Sequence, residues 1–170
     1  PSRPSGFLTP ARPGSPDIYR AGVRGQGGGD PEPVRRLMPE EFRRCYMPLG
    51  SGDAGLFDTD SMSYMDPLSD LAWLLLIDSC QYDNGIVTEG GRYFSQVTLD
   101  WIDASLTEAE AQDAVVVAFM HHNLMDHSPR NSRLFTLPHN DRVMEIYRRH
   151  GVGLNLSGHM HIQHIAGSDG

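Results

Sequence analysis

The sequence contains no lysine, and all 14 of its basic residues are arginine. Twenty-two acidic residues leave a net charge of -8, and residues 51–170 hold seventeen acids against six arginines. Such an acidic region repels polyanions, so we expect no nucleic acid polymer as a partner. A strongly acidic domain that handles phosphate needs local positive charge, which a bound metal ion can supply.

Cysteines and long apolar runs are also scarce. The chain has two cysteines, Cys45 and Cys80, too few for a disulfide framework. Its longest apolar run covers residues 71–77, far short of the roughly 20 residues of a membrane-spanning helix. We therefore expect no membrane span. The compartment stays open, cytoplasmic or exported.

Proline and glycine are concentrated at one end of the sequence. Residues 1–33 hold seven of the twelve prolines and seven of the eighteen glycines, interspersed with arginine and serine. No helical or strand period runs through them, which is typical of loops, linkers or disorder. The sequence predicts an irregular, Pro/Gly/Arg-rich segment over residues 1–37 and a folded domain over residues 38–170.

The folded domain alternates apolar runs with amphipathic segments, which indicates an α/β sheet layer. Strands are predicted at residues 61–65, 71–78, 114–120, 152–158 and 161–166. Helices are predicted at residues 39–46, 95–106 and 140–151, with a separate short turn at residues 107–110. Apolar residues share one stripe of each longer helix: Leu99, Ile102 and Leu106 on the first, and Val143, Ile146 and Tyr147 on the second.

All eight histidines lie after residue 120, and five of them follow predicted buried strands: His121, His122, His159, His161 and His164. Ligands gather at the carboxyl ends of strands in α/β sheets, and neutral imidazoles bind Zn, Fe and Mn. Residues two apart in an extended chain project to one side, so His159 and His161 would point together, away from Met160. A lone H-x-H pair is often accidental, but two clusters at equivalent strand ends favour a metal or catalytic site.

Two stretches, "AVVVAFMHHNL" and "GVGLNLSGHMH", resemble the C-terminal half of the calcineurin-like metallophosphoesterases. Between the predicted strands, "LLLIDSCQYDNG…LDWIDASL" is similar to bacterial phosphodiesterase-like members. The resemblance covers about residues 38–166. It implies an αββα sandwich, of which this chain would form the C-terminal part. It also implies a centre with two divalent ions (Mn, Fe, Zn, Mg or Co), where a hydroxide attacks the phosphorus of a phosphomonoester or phosphodiester.

The resemblance also implies roles for particular residues. His121 and His159 would bind one ion and His161 the other, while His122 would act in catalysis or support a ligand from behind. Asp126 and His127 follow this loop and could approach the phosphate ester substrate, although exposed loop residues more often have no such role. Asp78 ends a predicted strand and either supports a metal ligand from behind, orients a loop or simply terminates the strand. We interpret Cys80 as a buried structural thiol.

The ligand motifs that the family carries in its N-terminal half are absent. No histidine precedes residue 121, so neither D-x-H nor G-N-H-D is present, and no G-D-x-x-D has the required spacing. The nearest trace is "PGSPDI", where Ser15 and Pro16 would replace the asparagine and histidine and Asp17 would remain. Serine is a poor substitute for an amide oxygen, and a proline side chain cannot bind a metal.

The sequence is therefore compatible with three hypotheses of function. The first is a metal-dependent phosphoester hydrolase, although activity of this chain alone is doubtful because of the missing motifs. The second is a non-catalytic remnant or fragment that binds at most one metal. The third is a structural zinc-binding protein unrelated to phosphate. Because half of the family's sheets would be missing, we expect marginal stability or self-association through the uncovered sheet.

Overall fold

The computed structural model describes residues 39–46, 55–80, 91–127 and 135–168. The predictions for residues 1–37, including the roles of Ser15 and Asp17, lie outside these ranges.

The described residues form one five-stranded sheet with the order β1-β2-β3-β4-β5. The strands are β1 (Leu56–Phe57), β2 (Tyr64–Ser69), β3 (Ala72–Ile77), β4 (Val115–Met120) and β5 (Asn155–Leu156). The first three strands pair antiparallel, and β3, β4 and β5 pair parallel. This mixed sheet, with helices between its parallel strands, confirms the predicted α/β class.

Three helices are described: α1 (Pro39–Tyr46), α2 (Gln96–Ala111) and α3 (Asn140–Arg149). The first matches the predicted segment. The second begins where predicted, because the Ser95 side chain accepts a hydrogen bond from the Thr98 backbone N–H and caps the first turn. The separate turn predicted at residues 107–110 is wrong, since α2 continues without interruption through Ala111.

The main hydrophobic core lies between the sheet and the two longer helices. Helix α2 connects β3 to β4 and α3 connects β4 to β5, and both helices pack on the same sheet face. The predicted stripes are confirmed: Leu99, Ile102, Leu106, Val143, Ile146 and Tyr147 are all buried in this core. From the sheet, Met65, Leu75, Ile77, Ala118 and Met120 face them.

The opposite sheet face carries a smaller apolar cluster. Tyr64 and Leu76 are its buried members, and Phe57, Leu74 and Phe119 pack against them. The guanidinium of Arg43, on α1, lies 5.8 Å from the centroid of the Phe57 ring. Apolar side chains therefore lie on both faces of the sheet, and most of those on this second face are only partly buried.

Three predicted strands differ from the structure. The strand predicted at residues 61–65 begins at Tyr64 and continues to Ser69, and the one predicted at residues 152–158 shrinks to Asn155–Leu156. No strand forms at residues 161–166, because His159 and His161 have φ values of 68° and 55°, which interrupt an extended backbone. None of the described helices is both long and apolar enough to cross a membrane.

Candidate functional site

The carboxyl ends of the three parallel strands meet at one edge of the sheet. Ile77 pairs with Met120, and Phe119 pairs with Leu156, so the strands end nearly level. Beyond β5, the Gly158 backbone N–H donates a hydrogen bond of 3.0 Å to the carbonyl of His121. This bond aligns the residues after β5 with those after β4.

His121 and His159 face each other across this edge. His121 Nε2 lies 3.0 Å from His159 Nδ1, and the two ring centroids are 4.7 Å apart. The Phe135 ring lies 5.0 Å from that of His159 and forms an apolar wall beside the pair. The structure therefore brings these two candidate ligands into side-chain contact, and their role as metal ligands stays a prediction.

His122 lies behind the pair and is almost fully buried. The Ser79 hydroxyl accepts a hydrogen bond from the His122 backbone N–H at 3.1 Å and lies 2.9 Å from the ring Nδ1. When the hydroxyl donates to Nδ1, the ring proton lies on Nε2. The His122 ring is 4.8 Å from that of His159, so it can fix the orientation of its neighbour.

Tight packing holds His122 in place. A Cβ atom on Gly91 would lie 3.2 Å from Pro138 Cδ and 3.4 Å from the His122 ring, so glycine allows the two backbone segments to approach. The Asn123 backbone N–H donates to the Phe135 carbonyl at 2.7 Å. A proline at position 123 has no backbone N–H and could not make that bond.

Asp78 and Cys80 serve the loop after β3. Asp78 is fully buried, and its carboxylate accepts hydrogen bonds from the backbone N–H groups of Met62 and Cys80. Of the roles considered for Asp78, this geometry supports orientation of the loop. The predicted burial of Cys80 is confirmed, and burial, reinforced by the Asp78 charge, raises the pKa of its thiol to about 12. Such a thiol is inert at neutral pH.

We expected His159 and His161 to point together because they are two residues apart in an extended chain, and this argument is wrong. Both residues have left-handed backbone conformations rather than an extended one, so the alternation of side chains along a strand does not apply. His161 is exposed. The structure brings His121, His122 and His159 together as a cluster of three rings, with centroids 4.7 to 5.1 Å apart.

The structure places His127 against His164, which the sequence had suggested to be a strand residue. The two Nδ1 atoms lie 2.7 Å apart. Burial lowers the pKa of His127, the charge of His164 lowers it further, and the exposed Asp126 opposes both effects. The predicted approach of Asp126 and His127 to a substrate stays a prediction.

Within the described ranges, no group of three or more His, Cys, Asp or Glu side chains is arranged to hold a metal ion. Two imidazole pairs come nearest to such a group, His121–His159 at 3.0 Å and His127–His164 at 2.7 Å. Two members of the site escaped the sequence reasoning. The sequence contained an indication of Ser79, because this hydroxyl residue directly follows Asp78 at the end of β3. No pattern in the sequence indicated Phe135. Its backbone pairs with Asn123, and this pairing brings its ring to His159.

Comparison with known proteins adds no relative: the chain matches no protein-family model and no curated protein.

Proposed function

We propose that this chain carries the histidine side of the metal centre of a calcineurin-like phosphoester hydrolase. The observation that carries the proposal is the approach of His121 Nε2 to within 3.0 Å of His159 Nδ1, between the ends of adjacent parallel strands. Imidazole nitrogens that share an ion at about 2.1 Å are about 3.0 Å apart at a 90° angle and about 3.4 Å apart at a tetrahedral angle. The pair would need to open by only a few tenths of an ångström.

The surrounding residues suit a ligand pair. Ser79 holds His122 by a hydrogen bond, and the His122 ring packs against that of His159, so ring packing supports the orientation of a candidate ligand. Phe135 shields one side of the pair from water. A divalent ion, when present, would supply the positive charge that polarises a phosphoryl group in this acidic chain. His161 is the remaining candidate ligand, as the family resemblance suggests.

The finer fold assignment belongs to the same proposal. The sheet would be one of the two sheets of an αββα sandwich, with α2 and α3 as its outer helix layer. The opposite face, with Phe57, Leu74 and Phe119, would then meet the second sheet. If nothing else covers that face, the purified chain should associate with itself as its concentration rises. Analytical ultracentrifugation between about 5 and 200 μM tests this expectation.

A second candidate function is favoured by the missing ligands. The described residues contain no third metal-binding side chain at the pair, and the sequence lacks the family's carboxylate and asparagine motifs. A chain of this kind would be a non-catalytic remnant that binds at most one ion. Two imidazoles with open coordination positions can hold one zinc ion weakly, but they cannot hold a bridged pair of ions.

One experiment separates the two candidates. The purified, tag-free chain is incubated with Mn²⁺, the bound metal is counted, and hydrolysis of bis-p-nitrophenyl phosphate is measured. The hydrolase predicts turnover that His159→Ala abolishes and that His139→Ala leaves unchanged. His139 is the matched control because it is exposed and lies at the start of α3. No turnover, with at most one bound ion, would reject the hydrolase in favour of the remnant.

A further inference from the structure

A second pair of histidines lies apart from the first. His127 belongs to the loop after β4 and His164 to the segment after β5, and their Nδ1 atoms are 2.7 Å apart. Their rings are nearly perpendicular, at 71°, with centroids separated by 4.8 Å. Unlike His122, both residues are open to solvent at least in part.

The pair borders a cavity of ≈ 540 Å³. Met125, Leu154 and Met160 contribute apolar walls, and both histidines belong to the lining. Met160 lines this cavity, whereas its neighbours His159 and His161 do not. The cavity lining therefore includes both His127 and His164 but neither His121 nor His159.

Two Nδ1 atoms 2.7 Å apart must share a proton or another cation, because their lone pairs otherwise repel. With one shared proton they form a single N–H···N hydrogen bond, with none their lone pairs repel, and with two their positive charges repel. A metal ion replaces the shared proton and accepts both lone pairs at once. Neutral imidazole is the form that binds metals, and the adjacent Asp126 carboxylate adds favourable negative charge beside the pair.

The distance between the atoms bears on which ion fits. At metal–nitrogen distances of about 2.0–2.1 Å, two nitrogens lie about 2.9 Å apart at a 90° angle and about 3.3 Å apart at a tetrahedral angle. The observed 2.7 Å is closer to the first value. Cu²⁺ and Ni²⁺ favour 90° angles and lie high in the general affinity order for nitrogen ligands.

We propose that His127 and His164 form a second metal site, which binds Cu²⁺ or Ni²⁺ in preference to Zn²⁺. Two protein ligands leave further coordination positions open, and the adjoining cavity offers room for water or for a small carboxylate or thiolate ligand. This site does not depend on the proposed hydrolase function, because it shares no residue with the His121–His159 pair.

The test uses a tag-free background variant, His159→Ala/His161→Ala, in which the first pair can no longer chelate. Cu²⁺ affinity is measured by calorimetry at pH 7.5, and electron paramagnetic resonance counts the nitrogens bound to copper. The site predicts one Cu²⁺ with two imidazole nitrogens. Adding His127→Ala or His164→Ala should weaken binding on the order of tenfold or more and reduce the nitrogen count to one.

Two controls make the result decisive. Adding His139→Ala should leave both readouts unchanged, which excludes a general effect of removing an exposed histidine. His164→Gln keeps a polar side chain and should also lose the two-nitrogen signal while the circular dichroism spectrum stays native. Unchanged Cu²⁺ affinity in either single-site variant, or a stronger affinity for Zn²⁺ than for Ni²⁺, would overturn the proposal.

Discussion

The edge of the sheet where the parallel strands end carries two polar regions that differ in kind. The inner region is buried and consists of Asp58, Ser61, Ser63, Asp78, Ser79 and Thr98. Its groups satisfy one another: the carboxylate of Asp58, for example, accepts hydrogen bonds from the Ser61 and Thr98 hydroxyls at 2.5 and 2.7 Å. The outer region consists of the partly or fully exposed histidines His121, His127, His159, His161 and His164.

The difference between the regions separates structural from ligand-binding roles. A buried polar group must find partners within the chain, and once it has them it fixes loops in one arrangement. Imidazole nitrogens that face one another near the surface can instead exchange their contact for an ion. Substitutions in the inner region should therefore reduce stability with little direct effect on metal binding, and substitutions in the outer region should do the reverse.

The largest effect on stability is expected for Asp58→Ala. Asp58 also accepts a hydrogen bond from the Asp60 backbone N–H, so the substitution removes the acceptor for two buried hydroxyls and one amide. We expect a loss of about 3 kcal/mol in the free energy of unfolding, measured with urea. Asp60→Ala, at an exposed neighbour, should change it by less than about 0.5 kcal/mol. Equal effects of the two substitutions would mean that the buried network does not stabilise the fold.

A smaller effect is expected for Ser79→Ala, where the inner region meets the outer one. The substitution removes hydrogen bonds to the backbone N–H and to the ring of His122 and should cost about 1–2 kcal/mol. Nuclear magnetic resonance of ¹⁵N-labelled histidine should also show a changed tautomer balance for His122. Ser168→Ala, at an exposed site, is the control. An unchanged His122 signal would show that Ser79 does not position that ring.

A weaker, pH-dependent effect is expected at the surface between α2 and α3. A hydrogen bond from His150 is the main cause that lowers the pKa of Asp103, and Arg149 forms an ion pair with the same carboxylate at 3.0 Å. A carboxylate whose folded pKa is depressed stabilises the protein above its unfolded pKa of about 4 and loses that contribution as the pH falls through the folded pKa.

Asp103→Asn keeps the shape of the side chain and removes its charge. Because the Asp103 side chain is 39% exposed, water screens its interactions, and we expect the variant to lose only about 0.5 kcal/mol at pH 7. The difference from the wild type should vanish near pH 2. Urea unfolding at both pH values tests this, with Asp70→Asn, in the turn between β2 and β3, as an exposed control. A difference that persisted at pH 2 would point to a cause other than the carboxylate charge.

The sequence predicted best those parts of the molecule that depend on burial. Helix α1 has the predicted bounds, α2 and α3 have the predicted buried stripes, and β3 and β4 match the two apolar runs. Such segments are visible in a single sequence because apolar periodicity reports which side faces the core. The joint location of His121 and His159 followed from the same reasoning, since His121 directly follows β4 and His159 lies three residues after β5.

The outer loops escaped prediction because their geometry depends on backbone conformation and on contacts between distant residues. The left-handed φ values of His159 and His161 prevent the strand that we expected at residues 161–166. Histidine as a residue type gives no indication that the backbone adopts such angles. The pairing of His127 with His164 joins residues 37 positions apart and likewise left no pattern. Ser79 was partly predictable. The sequence shows that it follows Asp78, but it does not show that the hydroxyl contacts His122.

The smallest effect on stability, and the only one expected to be favourable, is for His161→Gly. A non-glycine residue at a φ of 55° is held in a conformation that disfavours its Cβ, and glycine relieves that cost. Glycine also gains freedom in the unfolded chain, so we expect a net stabilisation of a few tenths of a kcal/mol. His161→Ala retains the unfavourable Cβ and should be nearly neutral in urea unfolding.

The matched comparison is His159→Gly, at a φ of 68°. There the same relief is opposed by the loss of ring contacts with His121 and Phe135, so this variant should be less stable than His161→Gly. That order follows from the packing of the two rings, one beside its neighbours and the other exposed. The reverse order would mean that backbone strain outweighs the ring contacts at His159, and that the pair His121–His159 is held in place by its loop rather than by its own packing.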